Sequence, residues 1–137
     1  MKNHSDDPRV LLSMLWVFTV LNFFARDIHE LGRPGMLDQI MSGTIDGVRI
    51  TEVLMLIGGL MIEIPILMAL LSLLLPQFFN RWTNVGASLV TMIIIVANNL
   101  RPDLDNVFFM SIQLIALVAI VRIACRWRSN QTTQAET

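Results

Sequence analysis

Glu63 is the one carboxylate in the interior of an apolar run of membrane length, Thr51–Pro76, which reads TEVLMLIGGLMIEIPILMALLSLLLP and whose other acid, Glu52, stands at its very start. On insertion scales, placing a comparable Asp at mid-membrane costs about 2.5 to 3.5 kcal/mol. A carboxylate there therefore turns toward a partner, a proton or a water-filled cavity. Two features flank it: Pro65 two residues on, and the Gly58-Gly59 pair about one turn before. Pro65 removes the backbone bond to the Met61 carbonyl and is the expected hinge, while the glycines permit close approach of another helix.

The other polar side chains in apolar surroundings are Asn22, Arg26, Asp27, Asn98 and Gln113. At 1.5 Å per residue, Asn22 and Glu63 each lie roughly 18 Å along their helices, from opposite faces, which puts both near the midplane. Asn98 and Asn99, and Ser111 and Gln113, fall between that level and the outer surface. If these residues share one interior face, they line an outward-facing polar pocket floored by Glu63. Glu63, Asn22, Arg26, Asp27, Asn98 and Gln113 are then the candidates to hold a ligand or a proton. The plainer alternative makes Glu63 a structural acid or ion pair that joins helices through Asn22, Asn98 or Arg26.

Catalytic and metal chemistry find little support. The single cysteine, Cys125, has no second cysteine to bridge and no ligand company, so it reads as a small apolar residue near a helix end. Nine methionines lie mainly in apolar runs without His or Cys companions and read as packing or lipid-facing residues. His29, beside Glu30, reads as a solvated interfacial residue. No phosphate-binding glycine loop, HExxH or Ser/His/Asp order occurs, so neither a catalytic set, a metal nor a cofactor is expected.

The elements that must position these residues follow from composition. Of 137 residues, 54% are hydrophobic and 15% charged, against about 25% charged in an ordinary soluble domain. A net charge of −1 offers no basic face for nucleic acid. Val10–Leu31 reads as a retained first transmembrane helix, because Asp6, Asp7 and the Arg-Asp-Ile-His-Glu that follows Ala25 do not suit a cleaved signal peptide. Gly32 to Ile50 is the longest loop, and Met36, Leu37, Ile40 and Met41 predict a short amphipathic helix within it. The second span is Thr51–Pro76, with Thr51 as N-cap. QFFNRWTN then reads as a loop with Arg81 and Trp82 as interfacial anchors, a third span starts at Gly86 and runs to about Leu100, and Asp105 to about Ile123 forms the fourth.

The fold expected is all-α: a four-transmembrane-helix bundle with a short amphipathic helix in its first outer loop. Residues 1–9 form a cytoplasmic N-terminal segment, 10–127 the bundle and 128–137 a disordered cytoplasmic tail. Six of the ten Lys and Arg residues lie on the terminal side, which places both termini in the cytoplasm.

The segments LSMLWVFTVLN in the first helix, MIEIP around Glu63 and NRWTN at Asn80–Asn84 resemble a family of uncharacterised bacterial four-helix membrane proteins, a domain of unknown function. The likeness spans roughly residues 10 to 126 and implies a bacterial cytoplasmic (inner) membrane location, without an activity. Two readings of function stand ahead of the rest. One is small-solute or proton-coupled transport or binding through the Glu63 pocket, in an oligomer. The other is a non-enzymatic accessory or assembly subunit, in which Glu63 is structural and the small residues at Gly58-Gly59 and Gly86–Ser88 meet partner helices. A membrane enzyme acting on lipid or quinone ranks below both. The lipid bilayer, a second copy or partner helices are the expected partners.

Overall fold

Asp7 caps the first helix by accepting a hydrogen bond from the Arg9 backbone N–H, and Pro8 takes the first helical position, where a missing N–H costs nothing. The computed structural model describes residues 7–99 and 104–127. In chain order the elements are α1 (Pro8–Leu31), α2 (Met36–Ser42), β1 (Thr44–Ile45), β2 (Val48–Arg49), α3 (Glu52–Leu74), α4 (Gln77–Asn98) and α5 (Leu104–Arg126). Thr51 caps α3 as its type predicts, accepting from the Leu54 backbone N–H.

The four long helices form a ring. α1 packs against α3 and α5, and α4 packs against the same two, so α1 and α4 face each other across the diagonal. Arg26 reaches Asn106 near the start of α5, while Arg9 lies over Trp127 just past its end, so α1 and α5 are antiparallel. Trp16 bonds Asn84 and Arg26 bonds Asn99, so α1 and α4 run the same way. The core between them holds Leu12, Trp16, Met68, Ile95, Leu117, Ile120 and Ala124.

Three of the helices, α1, α3 and α5, are long and apolar enough to cross a membrane. α4 is of similar length but carries Gln77, Asn80, Arg81, Thr83 and Asn84 in its first two turns. These are the residues read from sequence as the loop QFFNRWTN, and the third long helix begins at Gln77 rather than Gly86. The correction has a physical reason. Asn80, Asn84, Ser88, Thr91 and Ile95 recur every three to four residues and all are buried, so the inward stripe of α4 is polar where an apolar stripe was sought.

The connection between α1 and α3 holds the expected short helix, α2, with Leu37 and Met41 exposed. A two-residue hairpin follows it, unanticipated from sequence. Asp46 and Gly47 link β1 to β2 with φ of 50° and 81°, the pair of left-handed conformations that a tight hairpin turn demands. The Asp-Gly pair was the available signal. Arg101-Pro102-Asp103, between the third and fourth expected spans, and the tail from residue 128 lie outside the described residues.

Candidate functional site

α3 has two faces. Pro65, Met68 and Ser72 form its buried stripe, turned into the ring. Glu63, two residues before Pro65, is rotated about 200° from it and is exposed. Gly59 lies one turn before Glu63 on the same outer face, with Leu56, Leu67 and Leu70 exposed around them. Helix α3 continues through Pro65 without a break.

Glu63 therefore does not floor an interior pocket with Asn22, Asn98 and Gln113. Every residue from Thr51 to Leu60 is exposed within this chain, so the outer half of α3 stands clear of its neighbours. A Cβ added at Gly58, Gly59 or Gly86 would meet nothing within 4 Å, and these glycines admit no helix of their own chain. Ser88, by contrast, is fully buried.

The remaining candidates separate. Arg26 does not pair with Glu63: its Nε donates to Asn106 Oδ1 at 3.2 Å and its Nη2 to Asn99 Oδ1 at 3.3 Å, tying α1 to the C-terminal end of α4 and the N-terminal end of α5. Asp27 and Asn98 are exposed. Of the pair Asn98 and Asn99, it is Asn99 that turns toward its neighbours, accepting from Arg26 and donating from Nδ2 to the Ile95 carbonyl at 2.7 Å. Gln113 is fully buried and neither side-chain polar atom has a hydrogen-bond partner; Asn22 Oδ1 and Ser88 Oγ are buried and unpartnered as well.

Depth along the ring can be read from the side-chain bonds. Ser13 Oγ donates to the Ala69 carbonyl, an antiparallel register that brings Glu63 level with Thr19, near the middle of α1. Ser88 is one turn beyond Asn84, hence one turn beyond Trp16 and near Val20. The Arg26–Asn106 and Arg9–Trp127 contacts set Gln113 between Thr19 and Phe23. Asn22, Ser88, Gln113 and Glu63 thus occupy one level about a helical turn thick, Ser88 and Gln113 turned inward, Asn22 on the flank of α1 with its Oδ1 buried, and Glu63 outward.

The best-connected polar cluster is one that sequence reading missed. Trp16 Nε1 and Ser72 Oγ both donate to Asn84 Oδ1, at 2.7 and 3.2 Å. Asn84 Nδ2 donates to Asn80 Oδ1 at 2.6 Å, and Asn80 Nδ2 to the Ser72 carbonyl at 2.6 Å. All four residues are fully buried. The i,i+4 spacing of Asn80 and Asn84 was the signal, obscured once the segment was taken for a loop. His29 is likewise more than a solvated residue, with Nε2 3.2 Å from Asp105 Oδ2 and its ring tilted against Phe109. It borders an outer-end cavity of about 290 Å³ with Glu30, Arg33 and Asp105, and a second of about 410 Å³ lies near Pro8, Arg122 and Trp127 at the other end; Glu63 lines neither.

Among the described residues, no three His, Cys, Asp or Glu side chains converge in a way that would hold a metal ion. Cys125 is exposed and free. What the arrangement offers is hydrogen bonding inside the ring and the Glu63 carboxyl on the otherwise apolar outward face of α3. No curated protein and no solved structure matches the chain. Over residues 1–134 it matches a family of unknown function (DUF6326), and the chain belongs to that family.

Proposed function

We propose that the protein is a non-enzymatic subunit of the cytoplasmic membrane that works by lateral association of helices, with the outer face of α3 as its docking surface. All four long helices cross the bilayer in this reading, and both termini lie inside. Arg9, Arg81, Arg122 and Arg126 gather at the terminal end of the ring and Arg26, Arg33 and Arg49 at the other, a bias in keeping with that orientation. The polar stripe of α4 does not oppose this, since its asparagines and serine face the protein interior.

The observation that carries the proposal is the exposed Glu63, at mid-depth on an otherwise apolar face, with the open Gly59 one turn away. Facing lipid, the carboxyl would bear the full insertion penalty. Against another helix it gains a hydrogen-bond partner, and Gly59 lets that backbone come near. A second copy satisfies this chemistry by itself, because one protonated carboxyl donates to the other across a two-fold axis.

Cysteine cross-linking in native membranes tests the reading. In a Cys125→Ser background, Leu56→Cys or Leu70→Cys on the outer face, alkylated with a benzophenone maleimide and irradiated, should yield a cross-linked product, at twice the monomer mass if the partner is a second copy and at another mass if it is a different subunit. Met68→Cys on the buried stripe serves as the negative control. Absence of any product from outer-face positions, with Glu63→Leu leaving the protein's native complexes unchanged, would sink the proposal.

A further inference from the structure

Three helices of the ring send unpartnered polar atoms into one buried level. Gln113 on α5 and Ser88 on α4 both have 0% exposure, and Asn22 sits on the flank of α1 turned toward α5, the side from which Arg26 one turn on reaches Asn106. The unpartnered atoms are Gln113 Nε2, Gln113 Oε1, Ser88 Oγ and Asn22 Oδ1. Native interiors rarely leave such groups bare, because each has lost its water without replacement. The clustering is the informative part: four atoms from three helices fall within about one turn of depth.

Their chemistry selects the ligand. Two are amide oxygens that accept, one is an amide nitrogen that donates, and the hydroxyl does either. Exchanging the oxygen and nitrogen of Gln113 leaves this inventory unchanged. An anion would find no cation at this level, since Arg26 is committed to Asn99 and Asn106. A metal cation would meet an amide N–H among its ligands. A small neutral molecule that both donates and accepts satisfies the set, and water is the smallest. We infer that Asn22, Ser88 and Gln113 form an enclosed internal water site at the centre of the ring. The inference is independent of the docking face, because Glu63, at the same level, points out of the ring.

The ring has polar clusters beyond this site on both sides: Trp16, Ser72, Asn80 and Asn84 toward the terminal end, and Arg26, Asn99 and Asn106 toward the other. Both are satisfied by protein partners, whereas the middle one is not. Leu117 and Ile120 on α5 and Ile95 on α4 are buried around these levels, and they keep bulk solvent from the centre.

The test is water-edited solid-state NMR on the full chain in phospholipid vesicles. Gln113 is the one glutamine preceded by isoleucine, so labelling isoleucine carbonyl carbon together with all carbons and nitrogens of glutamine assigns the Gln113 backbone amide, and the labelled side-chain carbons carry that assignment on to its side-chain amide without mutation. The expected result is magnetisation transfer from water to the Gln113 side-chain amide that persists with a soluble paramagnetic agent outside. Ser88→Ala should cut that transfer at least twofold, and Gln113→Leu should abolish water transfer to the Asn22 side chain. Transfer to Gln113 only from lipid and protein protons overturns the site, as does a water signal quenched by the external agent, which would mean an open path instead of an enclosed one. Should Gln113→Leu not fold, the wild-type and Ser88→Ala spectra decide alone.

Discussion

The Trp16 indole N–H donates to Asn84 Oδ1 at 2.7 Å across the diagonal of the ring, joining the two helices that share no direct backbone packing. The same oxygen accepts from Ser72, and the Asn84 amide donates to Asn80, so one side chain ties α1, α3 and α4 together. Replacing Asn84 by Leu leaves the Trp16 N–H and the Asn80 oxygen buried without partners. The expected loss is about 3 kcal/mol, from two orphaned groups at about 1–3 kcal/mol each. Trp16→Phe removes one bond and some volume and should cost about 2 kcal/mol. Because the two residues share a bond, the double variant should cost less than the sum, which reversible unfolding in detergent measures.

Glu63 makes the opposite prediction. Being exposed, it contributes little to the fold of one chain, and Glu63→Gln or Glu63→Leu should change monomer stability by no more than about 0.5 kcal/mol. Association should respond instead. Gln retains donor and acceptor and preserves cross-linking at Leu56→Cys, whereas Leu abolishes it. A large loss of monomer stability in Glu63→Gln would show that the carboxyl is buried in the fold after all.

Gly59 separates folding from docking more sharply. Nothing lies within 4 Å of a Cβ built there, so Gly59→Ala should stabilise the monomer by about 0.5–1 kcal/mol through helix propensity. Gly59→Leu should leave the monomer folded while blocking close approach of a partner helix. Thermal unfolding and cross-linking yield, read on the same variants, should move in different directions.

At the outer end, Arg26→Ala removes both hydrogen bonds to Asn99 and Asn106. Loss of this tie should cost about 1–2 kcal/mol. The readout is local: amide hydrogen exchange in the last two turns of α1 should speed up roughly tenfold, in line with about 1.4 kcal/mol of opening free energy. The centre of α1 around Trp16 should not change.

The hairpin after α2 is a separable unit. Gly47 at φ 81° has a backbone that side chains rarely adopt, so Gly47→Val should unpair β1 and β2 while the long helices keep their stability. Exchange at Val48 would report the loss, with the melting temperature of the ring unchanged.

The sequence by itself determined the all-α class, the extents of α1 and α3 and the short helix α2, because each depends on run length and caps along one helix. It did not determine which way the polar residues point. α3 is apolar on every side, so nothing local distinguishes the face of Pro65 and Met68 from that of Glu63; packing against α1 and α4 made the choice and turned the carboxyl outward. α4 deceived for the reverse reason, since its buried stripe is asparagine, serine and threonine, and polar residues signal an interior only once Trp16 and Ser72 are in place to bond them. Helix extent is a property of one chain segment. Azimuth is a property of its neighbours, and only the tertiary structure assigned Asn22, Ser88 and Gln113 to the inside of the ring and Glu63, at the same depth, to the outside.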